Sequence, residues 1–382
     1  LEATAVDLLS RVDKEVGWGY ETSHHSGKGK GKINYIIWSD VFSCANCTSE
    51  IIFWDTAVDH SLSKMKSEIS CPSCGTDHSK SELNRLWVSE LDGEVIVKKA
   101  KQVPVLINYM FEGKRYEKTP DKADFDLIEK IKSLDDIDLH GNSEIPEGYN
   151  TKQPKISHGV SKVRDFYTSR NLYVLTTLRK QLPNTRVGKA IEFLINSYDL
   201  THSTLMSRVI FKGGGKKPVL TGYQSGTLYI SSLPVEKNII QGILKQKLPI
   251  ILKSLRHVLN AQIVSTGSAS EMLIDDESVD YLFIDPPFGA NIMYSELNFL
   301  SESWSGVLTN DKLEAIENRV QKKSLSDYRM LMELCFKEAY RVLKKGHSMT
   351  VEFSNTKAAV WNSIQSALSD AGFIIANVSA LD

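Results

Sequence analysis

Apolar residues recur at helical spacing in Val6, Leu8, Leu9 and Val12, which predicts a helix over residues 1–16 that Gly17-Trp18-Gly19-Tyr20 ends. The period then shortens to that of strands. Ile33-Asn34-Tyr35-Ile36-Ile37-Trp38 and Glu50-Ile51-Ile52-Phe53-Trp54 read as two strands, Val95-Ile96-Val97 and Val103-Pro104-Val105-Leu106-Ile107 as two more. Ser23 to Lys32, containing Gly27-Lys28-Gly29-Lys30-Gly31-Lys32, follows no hydrophobic strand and lacks Walker spacing, so it reads as a basic loop rather than a phosphate cradle. Acidic residues and the turn signals Gly141-Asn142, Pro146 and Gly148 mark a linker from Asp121 to Pro154. Residues 235–260 have the pattern of an amphipathic helix, with Pro249 marking a kink or break.

The final third alternates the two periods. Ile263-Val264 reads as a strand running into Thr266-Gly267-Ser268-Ala269, and Val279-Asp280-Tyr281-Leu282-Phe283-Ile284 as a buried one. Helical patterns follow around 294–305 and 324–343, then the strand Ser348-Met349-Thr350-Val351-Glu352-Phe353, a helix around 358–371 and a last strand near Phe373–Val378. Gly346 and Gly372 stand where helix-ending glycines belong. This order predicts half of a doubly wound α/β sheet.

Charge changes the picture of the middle of the chain. The net charge is −1 overall, yet residues 151–260 carry 18 Lys and Arg against 4 Asp and Glu, a net of +14, between blocks of −8 (residues 1–150) and −7 (residues 261–382). Such a block attracts phosphate and releases counterions on binding, the electrostatic footprint of a nucleic-acid contact. Arg164, Arg170, Arg179, Lys180, Arg186 and Lys189 are interleaved there with Phe166, Tyr167 and Tyr173, which suits phosphate contacts with stacking. Lys212-Gly213-Gly214-Gly215-Lys216-Lys217-Pro218 is a basic loop of the same block. No apolar run approaches the roughly 20 residues that cross a bilayer.

Two of the cysteine spacings carry chemistry. Cys44-x-x-Cys47 and Cys71-x-x-Cys74, 23 residues apart and flanked by short strands, predict a zinc ribbon in which four thiolates close a tetrahedral, structural site. His60 and His78 are then bystanders. Cys335, in a helical stretch, reads as a core filler.

Asp285-Pro286-Pro287-Phe288 follows a buried strand directly, so it stands at the carboxyl end where open α/β sheets place ligands. Two prolines remove backbone donors and hold Asp285 out of the helical region. The loop offers one carboxylate, a row of free carbonyls and one aromatic ring, the groups that grip an exocyclic amine and stack on its ring. Hydrogen bonds from that amine to the Asp285 carboxylate and the Pro286 carbonyl would localise the nitrogen lone pair for attack. Asn291 and Tyr294 are candidates either to line the pocket with Phe288 or to pack, and Glu352 either faces the pocket from the next strand or is structural.

These residues carry a resemblance. Asp285-Pro286-Pro287-Phe288 resembles the catalytic motif of S-adenosylmethionine-dependent DNA amino-methyltransferases, with Asp first as is typical of the adenine-N6 enzymes. Thr266-Gly267-Ser268-Ala269 resembles their cofactor-adenine turn, and Val342-Leu343-Lys344-Lys345-Gly346 the turn before their fifth strand. With the zinc ribbon, Phe166-Tyr167-Thr168-Ser169-Arg170-Asn171-Leu172 and Phe288-Gly289-Ala290-Asn291-Ile292-Met293-Tyr294, the chain resembles a prokaryotic subfamily with a zinc ribbon inserted before the catalytic motif. The resemblance implies a partial Rossmann-like methyltransferase sheet and S-adenosylmethionine held by Gly267, Ser268, Ala269 and Asp285. It implies catalysis by Asp285, Pro286, Pro287 and Phe288 on a base flipped out of double-stranded DNA, and a place in a prokaryotic cytoplasm. Arg164, Arg170, Arg179, Lys180, Lys212, Lys216 and Lys217 are the candidate DNA contacts. Cytosine-N4 methylation uses the same geometry, and a catalytically incomplete zinc-ribbon DNA-binding protein is the reading from another class.

Two departures stand out. Ser268 replaces the Asp of many relatives, and no Phe-x-Gly-x-Gly cofactor loop occurs, so the chain is expected to be a piece of a longer protein. The expected organisation is a helix and loop continuing from an upstream methyltransferase half (1–32), a zinc-ribbon insertion (33–120), an acidic linker (121–154), a basic DNA-recognition region (155–260) and a catalytic half-domain (261–382).

Overall fold

The alternation that begins at Ile33 continues well past Trp38: in the computed structural model, Lys30–Ser43 form one strand of 14 residues. The structure describes residues 1–134, 139–214, 216–256 and 263–379. They form a mixed α/β protein of two units. One comprises Leu1–Pro146, Asn150–Val258 and Leu300–Val307, the other Glu147–Tyr149, Leu259–Phe299 and Leu308–Asp382.

The long strand organises the first unit. Different stretches of it pair antiparallel with different partners, which curls the seven-stranded sheet. Glu21–Ser23 pairs at Lys30–Lys32, Gln102–Phe111 along Lys32–Asp40, Val235–Lys237 opposite Tyr35–Ile37, and Glu50–Ile52 opposite Val41–Ser43. Pro104 sits in the second of these partners without an amide to give, and the register shifts between Pro104 and Leu106. Ile33, Ile36, Ile37, Val41 and Phe42 are all buried, because both faces of the strand are covered. Strands of 33–120 share this sheet with residues 21–23 and 235–237.

In this unit three elements differ from the sequence reading. Phe53 and Trp54 leave the strand for the short helix Phe53–Ala57, whose Trp54 amide donates to the Ser39 hydroxyl at 3.0 Å instead of to a sheet neighbour. The expected acidic linker contains the helix Lys122–Lys132, capped by Asp121 and burying Ile128 and Ile131; residues 135–138 of that stretch lie outside the described residues. Within it Asp124 is buried, accepting from the Thr22 hydroxyl at 2.6 Å and pairing with Lys118 at 2.8 Å. The expected helix over 235–260 is the segment Ile239–Gly242, a π-helical turn Ile243–Lys247 and the helix Leu248–Leu255. Pro249 has no amide for the carbonyl four residues back, and the wider turn absorbs that loss; the end of the expected stretch lies outside the described residues.

In the second unit Val279–Ile284 pairs in parallel with Leu343–Val351. The helices Leu325–Val342 and Ala358–Asp370 cover one face, with Tyr328, Met332, Phe336, Val360, Ile364 and Ala367 packed on Met349, Val351 and Phe353. Tyr281 and Phe283 point the other way and remain 53% and 60% exposed. The strands expected at Ile263-Val264 and Phe373–Val378 are not formed. Ile263 and Val264 are 95% and 94% exposed, since a parallel strand needs a neighbour on its edge and none of the described residues supplies one. Phe373 instead donates its amide to Leu368 and packs its ring edge-on against Tyr340. No helix among the described residues is long and apolar enough to cross a membrane.

Candidate functional site

The four cysteines converge. Two six-residue loops, Cys44-Ala45-Asn46-Cys47-Thr48-Ser49 and Cys71-Pro72-Ser73-Cys74-Gly75-Thr76, are built alike. In each, the first cysteine's amide donates to the sixth residue's carbonyl (Cys44 to Ser49 and Cys71 to Thr76, both 2.9 Å). Its carbonyl accepts from the fifth residue's amide (Thr48 at 3.0 Å, Gly75 at 2.9 Å). The cysteine sulfurs all lie within 4.8 Å of one another. Across the loops Cys44 and Cys74 are 3.8 Å apart, Cys47 and Cys71 3.7 Å. Four sulfurs at about 2.3 Å from a tetrahedral ion stand roughly 3.8 Å from each other, so the donor set matches zinc with no open position for water.

Polar groups around the sulfurs favour thiolate. The Thr76 hydroxyl and amide and the Asn46 amide hold Cys74 at about 5, and the Ser49 hydroxyl lowers Cys71. Backbone amides at Cys47 and Asn46 favour the Cys44 thiolate too. Burial and the neighbouring thiols of Cys47 and Cys71 outweigh them and carry it to about 11 in the absence of a metal charge. His78 is not one of the four converging donors, though its Nε2 lies 3.2 Å from the Cys44 sulfur in a buried setting. The short pair Ile69–Ser70 with Asp77–His78 holds His78 beside the second loop, and no local signal in the sequence pointed to its contact with Cys44 of the first. His60 stays apart from the sulfurs and meets the edge of Trp54 at 4.8 Å.

The proline loop leaves Val279–Ile284 at its carboxyl end, beside the end of the parallel strand, where the Glu352 amide donates to the Ile284 carbonyl at 2.9 Å. Pro286 is buried, while Asp285 is exposed and makes no hydrogen bond or ion pair among the described residues. The row of carbonyls is only partly free. The Tyr328 hydroxyl donates to Pro287 at 2.6 Å, and the Asn355 side-chain amide donates to Phe288 at 2.9 Å. Burial raises the Tyr328 phenol to about 12, so it remains a donor. The Asp285 carboxylate and the Pro286 carbonyl are left as acceptors. The Phe288 ring stands edge-on to Phe353 at 5.2 Å, and Gly289 turns the chain at φ 70° against Val360. Tyr328 and Asn355 were not singled out from sequence. Asn355 follows its strand by four residues, a position from which a side chain can reach the neighbouring strand's loop.

Asn291 and Tyr294 are both exposed, Tyr294 opening the helix Tyr294–Ser305. Gly267 and Ser268 lie in no regular element and run into a turn at Ala269; Gly267 and Ala269 are exposed and Ser268 half-buried. Ser268 bonds Ser270 at 2.7 Å, and nothing comes within 4 Å of the position a Gly267 side chain would take. The described residues of this stretch do not by themselves build a cradle for a nucleoside cofactor.

Three of the candidate DNA contacts are spent inside the first unit. Arg170 is 4% exposed and pairs with Glu236 at 2.9 Å, a carboxylate that also accepts from Thr168 and Trp38. Arg179 lies over the Trp304 ring at 4.7 Å, donates to Asn196 at 2.6 Å and sits 3.6 Å from Asp199. Burial raises that Asp199 carboxyl to about 6 against the pull of Arg179. Arg164 pairs with Asp92 and donates to Asn142 at 2.7 Å. A buried guanidinium already held by a carboxylate is an internal cross-link. Lys180 lies at the end of the helix Ser169–Lys180, and Lys212, Lys216 and Lys217 are exposed. Cys335 is half-buried, with its thiol raised by burial, in keeping with a core role.

Comparison of the chain with protein-family models, with curated proteins and with solved structures finds no match.

Proposed function

We propose that this chain acts as a DNA methyltransferase that moves a methyl group from S-adenosylmethionine to the exocyclic N6 of adenine, with zinc in a structural role. The observation that carries the reading is the state of the proline loop: at the carboxyl end of a parallel strand, the Asp285 carboxylate and the Pro286 carbonyl remain as acceptors while the next two carbonyls are held. Two acceptors side by side suit the two hydrogens of an exocyclic amine, and bonding both draws the nitrogen toward tetrahedral geometry. Phe288 offers a ring face for the extruded base. Asp285 has little need to be a strong base, because the nitrogen loses its proton readily once alkylated. S-adenosylmethionine would supply an electrophilic methyl group on a sulfonium centre.

Transfer of labelled methyl to duplex DNA by the protein as its gene encodes it tests the reading. Asp285→Ala is expected to lower transfer by at least about 100-fold. Equal transfer by parent and variant removes Asp285 from the mechanism. Duplexes whose only amine acceptor is adenine or cytosine separate N6 from N4 methylation.

A second reading, a zinc-ribbon DNA-binding protein without catalysis, is favoured by one observation, the largely exposed stretch from Ile263 to Ala269. Calorimetric titration with S-adenosylmethionine divides the two: binding supports the enzyme, and DNA binding without it supports the second reading.

A further inference from the structure

Two loops of the first unit, about 150 residues apart in sequence, meet at one hydrogen bond, from the Gly213 amide to the Ser63 carbonyl at 3.1 Å. The first is the turn between Val58–Asp59 and Lys64–Met65. Asp59 shapes it by accepting from the Ser61 amide and hydroxyl and the Leu62 amide, at 3.0, 2.6 and 2.9 Å, and Ser63 takes a left-handed φ of 46°. The second joins the paired strands Arg208–Ile210 and Val219–Thr221. Gly213 and Gly214 are both left-handed there, at φ 67° and 64°, and open space surrounds them. Trp54 underlies both loops, with His60 against its edge at 4.8 Å and Phe211 at 6.2 Å. Trp54 belongs to the apolar cluster that includes Cys44 and Cys71, so the metal loops and these two turns share one support.

What the two loops present is lysine. Lys64, Lys66, Lys212, Lys216 and Lys217 are all exposed, and none forms an ion pair among the described residues. Asp59 has its carboxylate turned into its own loop; Glu68 is the one other acid within residues 58–68, and 211–217 hold none. The contrast with the arginines is the reason to look here. Arg164, Arg170 and Arg179 account for much of the basic block's aromatic-rich part, yet carboxylates already neutralise them. Unpaired charge stands on these turns, two of whose lysines come from outside the basic block, as well as on the exposed Arg186, Lys189, Lys245 and Lys253.

We infer that Lys64, Lys66, Lys212, Lys216 and Lys217 together form a contact for the phosphodiester backbone of duplex DNA. The inference rests on the DNA reading above but concerns binding, not methyl transfer. Lysine is a point charge on a long stem, suited to phosphate and indifferent to base identity. Glycines between the lysines keep bulky side chains out of the way of a sugar-phosphate strand.

Fluorescence anisotropy with a labelled duplex DNA oligonucleotide over a range of salt concentrations, without S-adenosylmethionine, tests it. Each lost phosphate contact removes about 0.9 from the slope of log K against log salt. Lys64→Ala with Lys66→Ala is expected to lower the slope by roughly 1.8, and Lys212→Ala with Lys216→Ala and Lys217→Ala by roughly 2.7, with circular dichroism and zinc content unchanged. The first variant is the sharper one, since its lysines lie outside the basic block. An unchanged slope there overturns the inference, as does failure of the parent to bind DNA. Tighter binding to duplex RNA or to phosphatidylserine vesicles than to DNA overturns it as well. Absence of methyl transfer by the parent with the slope changes intact would fault the enzyme reading alone, and unchanged slopes with transfer intact would fault this surface alone.

Discussion

Thr48 and Gly75 hold the same place in the two cysteine loops, each donating its amide to the loop's first cysteine, at φ 62° and 73°. A left-handed residue is what lets the chain close around the metal side of each loop. Glycine adopts that φ freely; threonine, branched at Cβ, does so at a cost that its hydroxyl bond to the Cys47 carbonyl (2.7 Å) partly offsets. Gly75→Ala is expected to lose about 1 kcal/mol, since the added methyl meets nothing and only the backbone is strained. Thr48→Gly is expected to be neutral within about 1 kcal/mol. Urea unfolding of the zinc-loaded proteins measures both, and the equivalence of the loops fails if Gly75→Ala is as stable as the parent.

Metal content is the plainest check on the cysteine cluster. The parent is expected to hold about one zinc per chain, and Cys44→Ser or Cys71→Ser to lose it, by mass spectrometry of the metal. A folded, metal-free parent prepared in the presence of zinc would refute the site. His78→Ala is expected to keep the ion but release it to a chromogenic chelator about 10-fold faster, since a buried ring nitrogen beside a sulfur steadies the charge there. Unaltered release kinetics would return His78 to a packing role.

Acid stability depends on Asp40. Its burial opposes the charge, but the His158 ring 3.4 Å away and bonds from Arg85 and Gln102 more than offset this and hold the carboxyl at about 2. The folded value lies below the unfolded one of about 3.9, so the contribution, about 2 kcal/mol, is present above pH 4 and fades as pH falls toward 2. Asp40→Asn is expected to be less stable than the parent near pH 6 and to approach it near pH 2. Unfolding curves at matched pH give the difference, and a constant gap across that window would contradict the assignment.

Tyr328→Phe leaves the ring in the core and removes the donor to Pro287. A stability loss of about 1 kcal/mol is expected, together with slower methyl transfer under the proposed function. Full activity in this variant would mean that the loop keeps its shape without the bond.

Legibility followed distance along the chain. The paired cysteines could be read because each loop is six residues long, and the proline loop because its strand precedes it directly. Arg170 and Arg179 could not. Their partners Glu236 and Asp199 come from other elements, and nothing local separates a buried arginine from one that faces solvent. Ile263-Val264 misleads in the opposite direction: its residues favour a strand, but strand formation depends on a neighbour that no local pattern specifies. His78 and Tyr328 belong with the arginines, meaningful only once the fold has brought them to Cys44 and Pro287.

The held carbonyls of the proline loop bear on when its conformational entropy is lost. Pro286 and Pro287 restrict the backbone, and Tyr328 and Asn355 fix what freedom remains, so the loop is ordered as the protein folds and not as a ligand arrives. Under the proposed function, a molecule with two hydrogen-bond donors then meets acceptors already in position, and selection among ligands falls to the spacing of those donors.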